Sequence, residues 1–376
     1  MRIGFDASFA INDASGVGRY SFNLIKNLLE IDNQNDYLLF INYYRNRLEK
    51  EKKINELVSN NKKVKIITNH LFGKIKDKIW FNPLISPINL YFGKLDLYHA
   101  TCFQAFPKKI GDIKSVVTIH DLTYLVDKNY HQNLSNYYKK ITINAVKKAN
   151  TIITDSNATK NDLIKYFKTD SSKIQTIYLG IDNKFKPASS KEILEFKNKY
   201  TNGSEYILSV GTLEPRKNFP KLIEAYQQLP VAIQNQYKLL VIGKSGWGEI
   251  NQITNSQIIF TGFLSDEELI TAYSGANVFV YPSLYEGFGF PPLEAMACGT
   301  PVITSNVSSL PEVVGNAAEL INPYIVSEIT KAIEKILINK DFANTLIKKC
   351  FAQSDKFTWS KTAQQTLEIY NRLDLN

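Results

Sequence analysis

The feature that most constrains this chain is an alternation of short apolar runs with amphipathic helical stretches. It breaks once, at a polar link, and then starts again. In the first half the β-type runs are Arg2–Ala7, Tyr37–Asn42, Val64–Thr68, Leu95–Ala100, Ser115–Asp121, Thr151–Ser156 and Lys173–Ile181. Helical patterns lie between them, at residues 133–149 and 157–167 among others. In the second half the runs are Glu205–Gly211, Lys238–Gly243, Ser256–Gly262, Asn277–Val280, Pro301–Ser305 and Ala317–Pro323. Such alternation predicts α/β architecture, with parallel sheets covered by helices on both faces. A chain of 376 residues exceeds one ordinary core. The link NKFKPASSKE (183–192), with Pro187 and two serines, supplies the division. Two doubly wound Rossmann-like domains, 1–185 and 186–357, are expected, followed by a closing helix at 358–376.

Composition narrows the class. Apolar residues make up 44% and charged residues 22%, the balance of a globular chain and not of a disordered one. Cys102, Cys298 and Cys350 are widely spaced, which suggests neither a disulfide framework nor a zinc site. The start MRIGFDASFAIND has no apolar leader segment, and no run approaches the roughly 18 apolar residues of a membrane span. A cytoplasmic location is the resulting expectation. Of the net charge of +9, residues 1–187 hold 29 basic and 17 acidic side chains, against 16 and 19 in the remainder. A basic first half attracts an anionic partner: anionic lipid, a phosphorylated substrate or nucleic acid. Drift in a Lys-, Asn- and Ile-rich composition gives the same count. The segment Phe72–Lys94 mixes lysines with Trp80, Phe81, Leu84, Ile85, Tyr91 and Phe92, and is broken by Pro83 and Pro87. It reads either as a helix pair covering the core or as a piece that touches a membrane interface.

Several familiar motifs fail. Gly243-Lys244-Ser245 resembles the end of a phosphate loop, but Lys238 stands where the first glycine is required. No GxSxG, HExxH or DxD is present, and GVGRYS is not a full dinucleotide fingerprint. What remains is the stretch YPSLYEGFGFPPLEAMACGTP, Tyr281 to Pro301. A strand runs into a loop of Gly287, Phe288, Gly289 and Phe290. Pro291 and Pro292 mark a helix start, which puts Glu294 at about the third position of that helix. Backbone N–H groups at such a start bind anions. Arg216 and Lys217 follow another strand and add cationic side chains suited to a diphosphate. Glu286 and Glu294 are eight positions apart and cannot share a helix face, so they reach different parts of an extended ligand. Carboxylates accept pairs of sugar hydroxyls. Gly16 and Gly18 bracket a turn before a helix that starts near Arg19, which fits close approach to a phosphate or a plain strand-to-helix turn equally well. His99 and His120 each end a strand, where open α/β sheets place ligands, and Asp121 follows as a group that caps, orients or reacts.

In these segments the chain resembles glycosyltransferase family four, the retaining group of GT-B fold. The resemblance runs through the Glu-seven-residues-Glu stretch, GTLEPRKN (211–218), FTGFLSDEEL (260–269), TIHDL (118–122), IYLGID (177–182) and FTWSKTA (357–363). GVGRY, TIHDL and GTLEPRKN are similar to the mannosyltransferase-like branch that builds bacterial surface polysaccharides. The resemblance implies two domains facing across a cleft, with the last helix crossing back to the first domain. It places Glu294 on the nucleotide ribose, Glu286 near the donor sugar, and Lys217 with Arg216 on the diphosphate. Gly287, Phe288, Gly289 and Phe290 form the N–H loop at the donor, and Gly16 and Gly18 face the phosphates from the other domain. His120 matches the histidine near the anomeric carbon. His120, Glu286 and Lys217 are thus the expected catalytic residues, and Gly262, Phe263 and Leu264 the base-recognition segment. Many members carry arginine where this chain has Thr212, and Arg216 is the candidate to replace that charge. Arg19, His99 and Asp121 remain acceptor-side candidates. The implied activity moves a hexosyl group from a nucleotide-diphosphate sugar, GDP-mannose favoured over a UDP-sugar, to a saccharide or lipid-linked acceptor. No essential metal or cofactor and no nucleic acid is implied, and a peripheral contact with anionic membrane is the further expectation. A nucleotide-sugar epimerase and a non-catalytic nucleotide-sugar-binding protein are the rival readings.

Overall fold

The computed structural model describes residues 1–12, 15–58, 61, 63–126, 134–246 and 255–375. The chain divides into two units, Met1–Gly180 with Thr358–Asn376, and Ile181–Phe357.

The first unit is built on seven parallel strands: β1 (Arg2–Asp6), β2 (Asp36–Asn42), β3 (Val64–Asn69), β4 (Leu97–Ala100), β5 (Lys114–Ile119), β6 (Thr151–Thr154) and β7 (Ile174–Thr176). Their order is β3-β2-β1-β4-β5-β6-β7, so the direction of winding reverses between β1 and β4. Near-continuous apolar runs such as Tyr37–Ile41 follow from burial on both faces. β7 is shorter than the apolar run Lys173–Ile181 suggests. Past it the chain leaves the sheet and packs on the final helix, Trp359–Asp374. There the Tyr178 carbonyl accepts from Thr362 Oγ1 at 2.9 Å. Gly180 runs so close that a Cβ would stand 2.1 Å from the Trp359 nitrogen. The final helix buries Trp359, Ala363, Ile369 and Tyr370, and it packs against helix Gly16–Ile31.

Segment Phe72–Lys94 forms two short helices, Gly73–Trp80 and Pro87–Phe92, the second capped by Ser86. Trp80, Ile88 and Phe92 join the core, and Trp80 Nε1 donates to the Ala105 carbonyl at 2.7 Å. Lys76 reaches inward to the buried Asp6 carboxylate. Phe72, Ile75, Leu84, Ile85 and Leu90 stay exposed. The segment therefore covers the core with one face and presents apolar side chains on the other.

The second unit holds β8 (Glu205–Val210), β9 (Tyr237–Ile242), β10 (Ile258–Gly262), β11 (Val278–Tyr281), β12 (Val302–Ser305) and β13 (Ala318–Ile321). All are parallel, in the order β10-β9-β8-β11-β12-β13. The winding reverses between β8 and β11, and at such a point the loops on the carboxyl side part and leave a crevice. Two apolar clusters, one around Tyr206, Phe279 and Met296 and one around Ile207, Tyr226 and Ile333, fill the two faces.

Candidate active site

The loops after β8 and β11 converge at that reversal. After β8 a single 3₁₀ turn, Pro215–Lys217, leads into helix Phe219–Gln227 through Asn218 at φ 60°. Asn218 Nδ2 donates to the Pro282 and Pro323 carbonyls at 3.1 and 2.8 Å, and the Leu284 N–H donates to the Arg216 carbonyl at 2.8 Å. These bonds tie the turn to the loops after β11 and β13. Arg216 pairs with Glu214 at 2.6 Å and with Glu286 Oε1 at 2.7 Å, and Lys217 Nζ lies 2.6 Å from the same oxygen.

Burial raises the Glu286 carboxyl, but Arg216 and Lys217 outweigh it and, with hydrogen bonds from Lys217 and Ser283, hold it at about 2. Burial and the neighbouring Arg216 lower the Lys217 ammonium, against the pull of Glu286.

Past Glu286 the chain turns through buried Gly287, Phe288 and Gly289 into helix Phe290–Ala297. Gly289 has φ 126°, a conformation that suits glycine alone, and Leu310 Cδ2 lies 3.0 Å from where a Cβ would stand. Serines at the next helix start brace this loop. Ser309 Oγ is 2.9 Å from the Glu286 carbonyl and 2.6 Å from that of Phe288, while the Glu286 N–H donates to Ser308 Oγ at 3.1 Å. The rings of Phe288 and Phe290 meet edge to face at 5.4 Å.

The helix begins at Phe290 and not at the prolines, so Glu294 lies a full turn in and is buried at 3% exposure. Its place is inside the unit, not in the solvated first turn. Tyr273, from helix Asp266–Gly275, donates its hydroxyl to Glu294 Oε2 at 2.9 Å. Gly262 ends β10 at φ 76°, Phe263 is 69% exposed beneath the Lys244 ammonium at 4.7 Å, and Leu264 is core. Thr212 is exposed at the start of the β8 loop, and its carbonyl accepts from the Glu214 N–H at 2.8 Å.

The first unit carries the remaining candidates. His120 directly follows β5. Its Nδ1 lies 2.6 Å from Asp155 Oδ2, and its Nε2 donates to the Thr101 carbonyl at 2.9 Å. A carbonyl only accepts, so Nε2 carries a proton, and Nδ1 facing a carboxylate favours a second. Burial works against the imidazolium, but Asp155 raises His120 overall. Asp121 Oδ1 accepts from the Thr123 N–H and hydroxyl at 2.9 and 2.6 Å and so starts the turn at Thr123. Gly16 and Arg19 belong to the first turn of helix Gly16–Ile31, with Gly16 exposed and Gly18 buried.

His99 is not at an open strand end. It is fully buried, with Nδ1 2.6 Å from the Tyr370 hydroxyl and Nε2 2.9 Å from Thr118 Oγ1. Burial lowers it to about 3, which makes it a neutral core histidine. β4 is a central strand and the final helix covers it, and no sequence-local pattern announces that.

The structure thus brings Arg216, Lys217, Glu286 and the Gly287–Phe290 loop into one cluster, and sets Glu294 behind it. It adds Tyr273, Tyr281 and Ser283 in the second unit and, separately, Asp155 beside His120 in the first unit, all of which residue patterns leave among the core or the turns. Ser283, three residues before Glu286, is the one with a local signal.

The family described as Glycosyl transferases group 1 matches residues 190–352, and Glycosyltransferase Family 4 matches residues 14–185. Serotype-specific mannosyltransferase WbdA of Escherichia coli is 36% identical over 274 residues, which is 69% of this chain but only 34% of WbdA. The O-antigen chain mannosyltransferase B of Escherichia coli is 31% identical over 370 residues, 96% of each chain. Among solved structures, Anabaena Alr3699/HepE in complex with UDP and glucose superposes with a TM-score of 0.74 at 19% identity, over 99% of this chain and 100% of that one. That likeness identifies the architecture as the GT-B fold. With each half matched by its own family and a 31%-identical mannosyltransferase matched almost end to end, the chain belongs to glycosyltransferase family 4.

Proposed function

We propose that this protein transfers a hexosyl group, mannose in the favoured reading, from a nucleotide-diphosphate sugar to a saccharide or lipid-linked saccharide in polysaccharide synthesis. The observation that carries the reading is the placing of Arg216, Lys217 and Glu286 beside the helix start at Gly289. Fixed cations and aligned N–H groups stabilise the charge that develops on a departing diphosphate, so they favour its loss without a metal. Glu286 and Glu294 accept hydroxyls, of the sugar and the ribose respectively. No protein nucleophile is needed when the acceptor attacks the face that the phosphate leaves, and retention follows. The relatives named above as mannosyltransferases support mannose and hence GDP-mannose as donor.

Calorimetry with GDP, UDP and GDP-mannose, followed by product analysis, tests this. Tight GDP-mannose binding that is lost in Glu294→Ala, and turnover untouched by EDTA, are the expected results. Donor consumption without any acceptor would favour an epimerase, and binding without turnover a sensor.

A peripheral contact with anionic membrane belongs to the same proposal. Exposed Phe72, Ile75, Leu84 and Leu90 share segment Phe72–Lys94 with exposed Lys74 and Lys78. Lys109 Nζ reaches the Leu84 carbonyl at 3.2 Å and adds charge there. Each well-placed lysine adds about 1 kcal/mol at an anionic surface. Sedimentation with phosphatidylglycerol vesicles should exceed that with phosphatidylcholine vesicles, and equal binding removes the idea. No described helix is long and apolar enough to cross a membrane.

A further inference from the structure

One oxygen of Glu286 is crowded. Oε1 has four donors within hydrogen-bond range: Arg216 at 2.7 Å, Lys217 at 2.6 Å, the Tyr281 hydroxyl at 2.8 Å and the Ser283 hydroxyl at 2.7 Å. A carboxylate oxygen offers about two lone-pair directions. Among the described residues Oε2 makes no hydrogen bond. Tyr281 is 1% exposed and Ser283 fully buried. Tyr281 has one proton to donate, and it takes the Lys217 ammonium as its own donor. Ser283 is nearer to Glu286 than to the Arg216 or Tyr285 carbonyls, at 3.1 and 3.4 Å.

We infer that Tyr281 and Ser283 are positioning residues: their hydroxyls hold Glu286 Oε1 while Arg216 and Lys217 turn to the donor diphosphate, so that Oε2 stays aimed at a donor-sugar hydroxyl. The inference rests on the proposed function and adds the groups that make its charge transfer workable. A diphosphate competes for the same two cations that Glu286 uses. Were those cations the only donors, their departure would leave a buried carboxylate unpaired, a costly state that favours protonation. Two neutral hydroxyls cannot follow the diphosphate in the same way, because the rigid tyrosine ring is fixed at the end of β11 and the short serine side chain is buried in the loop just past it. Four donors on one oxygen therefore divide into a pair that leaves and a pair that stays. With Oε1 occupied throughout, Oε2 is the oxygen left to accept from the sugar.

The test uses the full chain with Tyr281→Phe and Ser283→Ala, each first checked for a wild-type-like melting transition. Glu286 is followed by NMR of ¹³C-carboxyl-labelled glutamate, assigned with Glu286→Gln. The Glu286 titration should move to higher pH in both variants, with the larger move when GDP is bound. An unchanged titration in both overturns the inference without any turnover being measured. In steady-state assays with GDP-mannose, kcat should fall about tenfold or more in Tyr281→Phe, while GDP affinity stays within twofold. The acid limb of the kcat/KM profile should also shift upward. Equal losses for GDP and GDP-mannose would assign the hydroxyl to general structure and overturn the positioning role, as would an unchanged kcat. If the wild-type chain neither binds nor turns over GDP- or UDP-sugars, the proposed function fails in its own right, and the titration still decides whether the hydroxyls hold Glu286.

Discussion

Asp155 Oδ2 lies 2.6 Å from His120 Nδ1, and the other face of the same imidazole donates to the Thr101 carbonyl at 2.9 Å. The Thr101 carbonyl fixes a proton on Nε2, and Asp155 facing Nδ1 raises the His120 pKa against its burial, which favours the protonated ring. His99, on the neighbouring strand, is built the other way, buried and neutral.

The two histidines give stability opposite pH dependences. His120 is raised above the usual 6.5, so its contribution is complete below 6.5 and is lost as pH rises through the folded value. His99 is lowered to about 3, so its contribution is complete above 6.5 and is lost as pH falls from there toward 3. Each slope is at most about 1.4 kcal/mol per pH unit. Urea unfolding between pH 5 and 9 should show the acid side flattened in His99→Gln and the alkaline side flattened in His120→Gln. Parallel profiles for either variant and wild type would contradict the assignment.

Tyr273→Phe removes the hydroxyl that Glu294 Oε2 accepts at 2.9 Å and leaves the ring in place. A hydrogen bond to a charged group is worth about 1.5–3 kcal/mol. GDP affinity should therefore fall about tenfold to a hundredfold, read by calorimetry, with Glu294→Ala lower still. Unchanged affinity would mean that Glu294 is held by its other neighbours.

Gly243→Ala should destabilise the second unit and loosen the site together. A Cβ at Gly243 would stand 1.9 Å from the Gly211 carbonyl oxygen, at the ends of β8 and β9 where backbone faces backbone. Overpacking of this kind costs about 1–3 kcal/mol. Thermal unfolding should show the loss, and donor affinity should drop with it, because Gly211 leads into the turn that carries Lys217. A wild-type melting temperature would refute the close approach.

Deletion of residues 358–376 should unfold the first unit selectively. Burying each of Trp359, Ile369 and Tyr370 contributes about 1.5–3 kcal/mol, and their sum rivals the 5–15 kcal/mol that holds a typical domain. Near-ultraviolet circular dichroism and limited proteolysis should show residues 1–180 opened while 181–357 keeps its transition. A single unshifted transition would show that the helix is dispensable.

The sequence already contains much of this. Strand-helix alternation predicts both sheets, and the spacing of Glu286 and Glu294 with Arg216-Lys217 picks out residues that do gather at one winding reversal. Groups that act through another side chain are less legible. Tyr273 and Tyr281 sit among apolar neighbours and read as core, since nothing local reveals that a hydroxyl points at a carboxylate from a different element. His99 and His120 look alike in sequence. One becomes core because a helix more than 250 positions downstream delivers Tyr370 onto it, a contact only the folded chain discloses. Asp121 is a turn-forming side chain for a simpler reason: its nearest donors lie two residues away.

The first unit is also discontinuous in sequence, with residues 181–357 inserted between its seventh strand and its last helix. On a ribosome the inserted unit emerges whole before the helix that completes its host. The host's unfinished face, with Tyr20 and His99 still short of their cover, must wait through the synthesis of an entire domain. Birth order and structural order run in opposite directions here, so a chaperone acting on this chain has most to protect in the part that was made first.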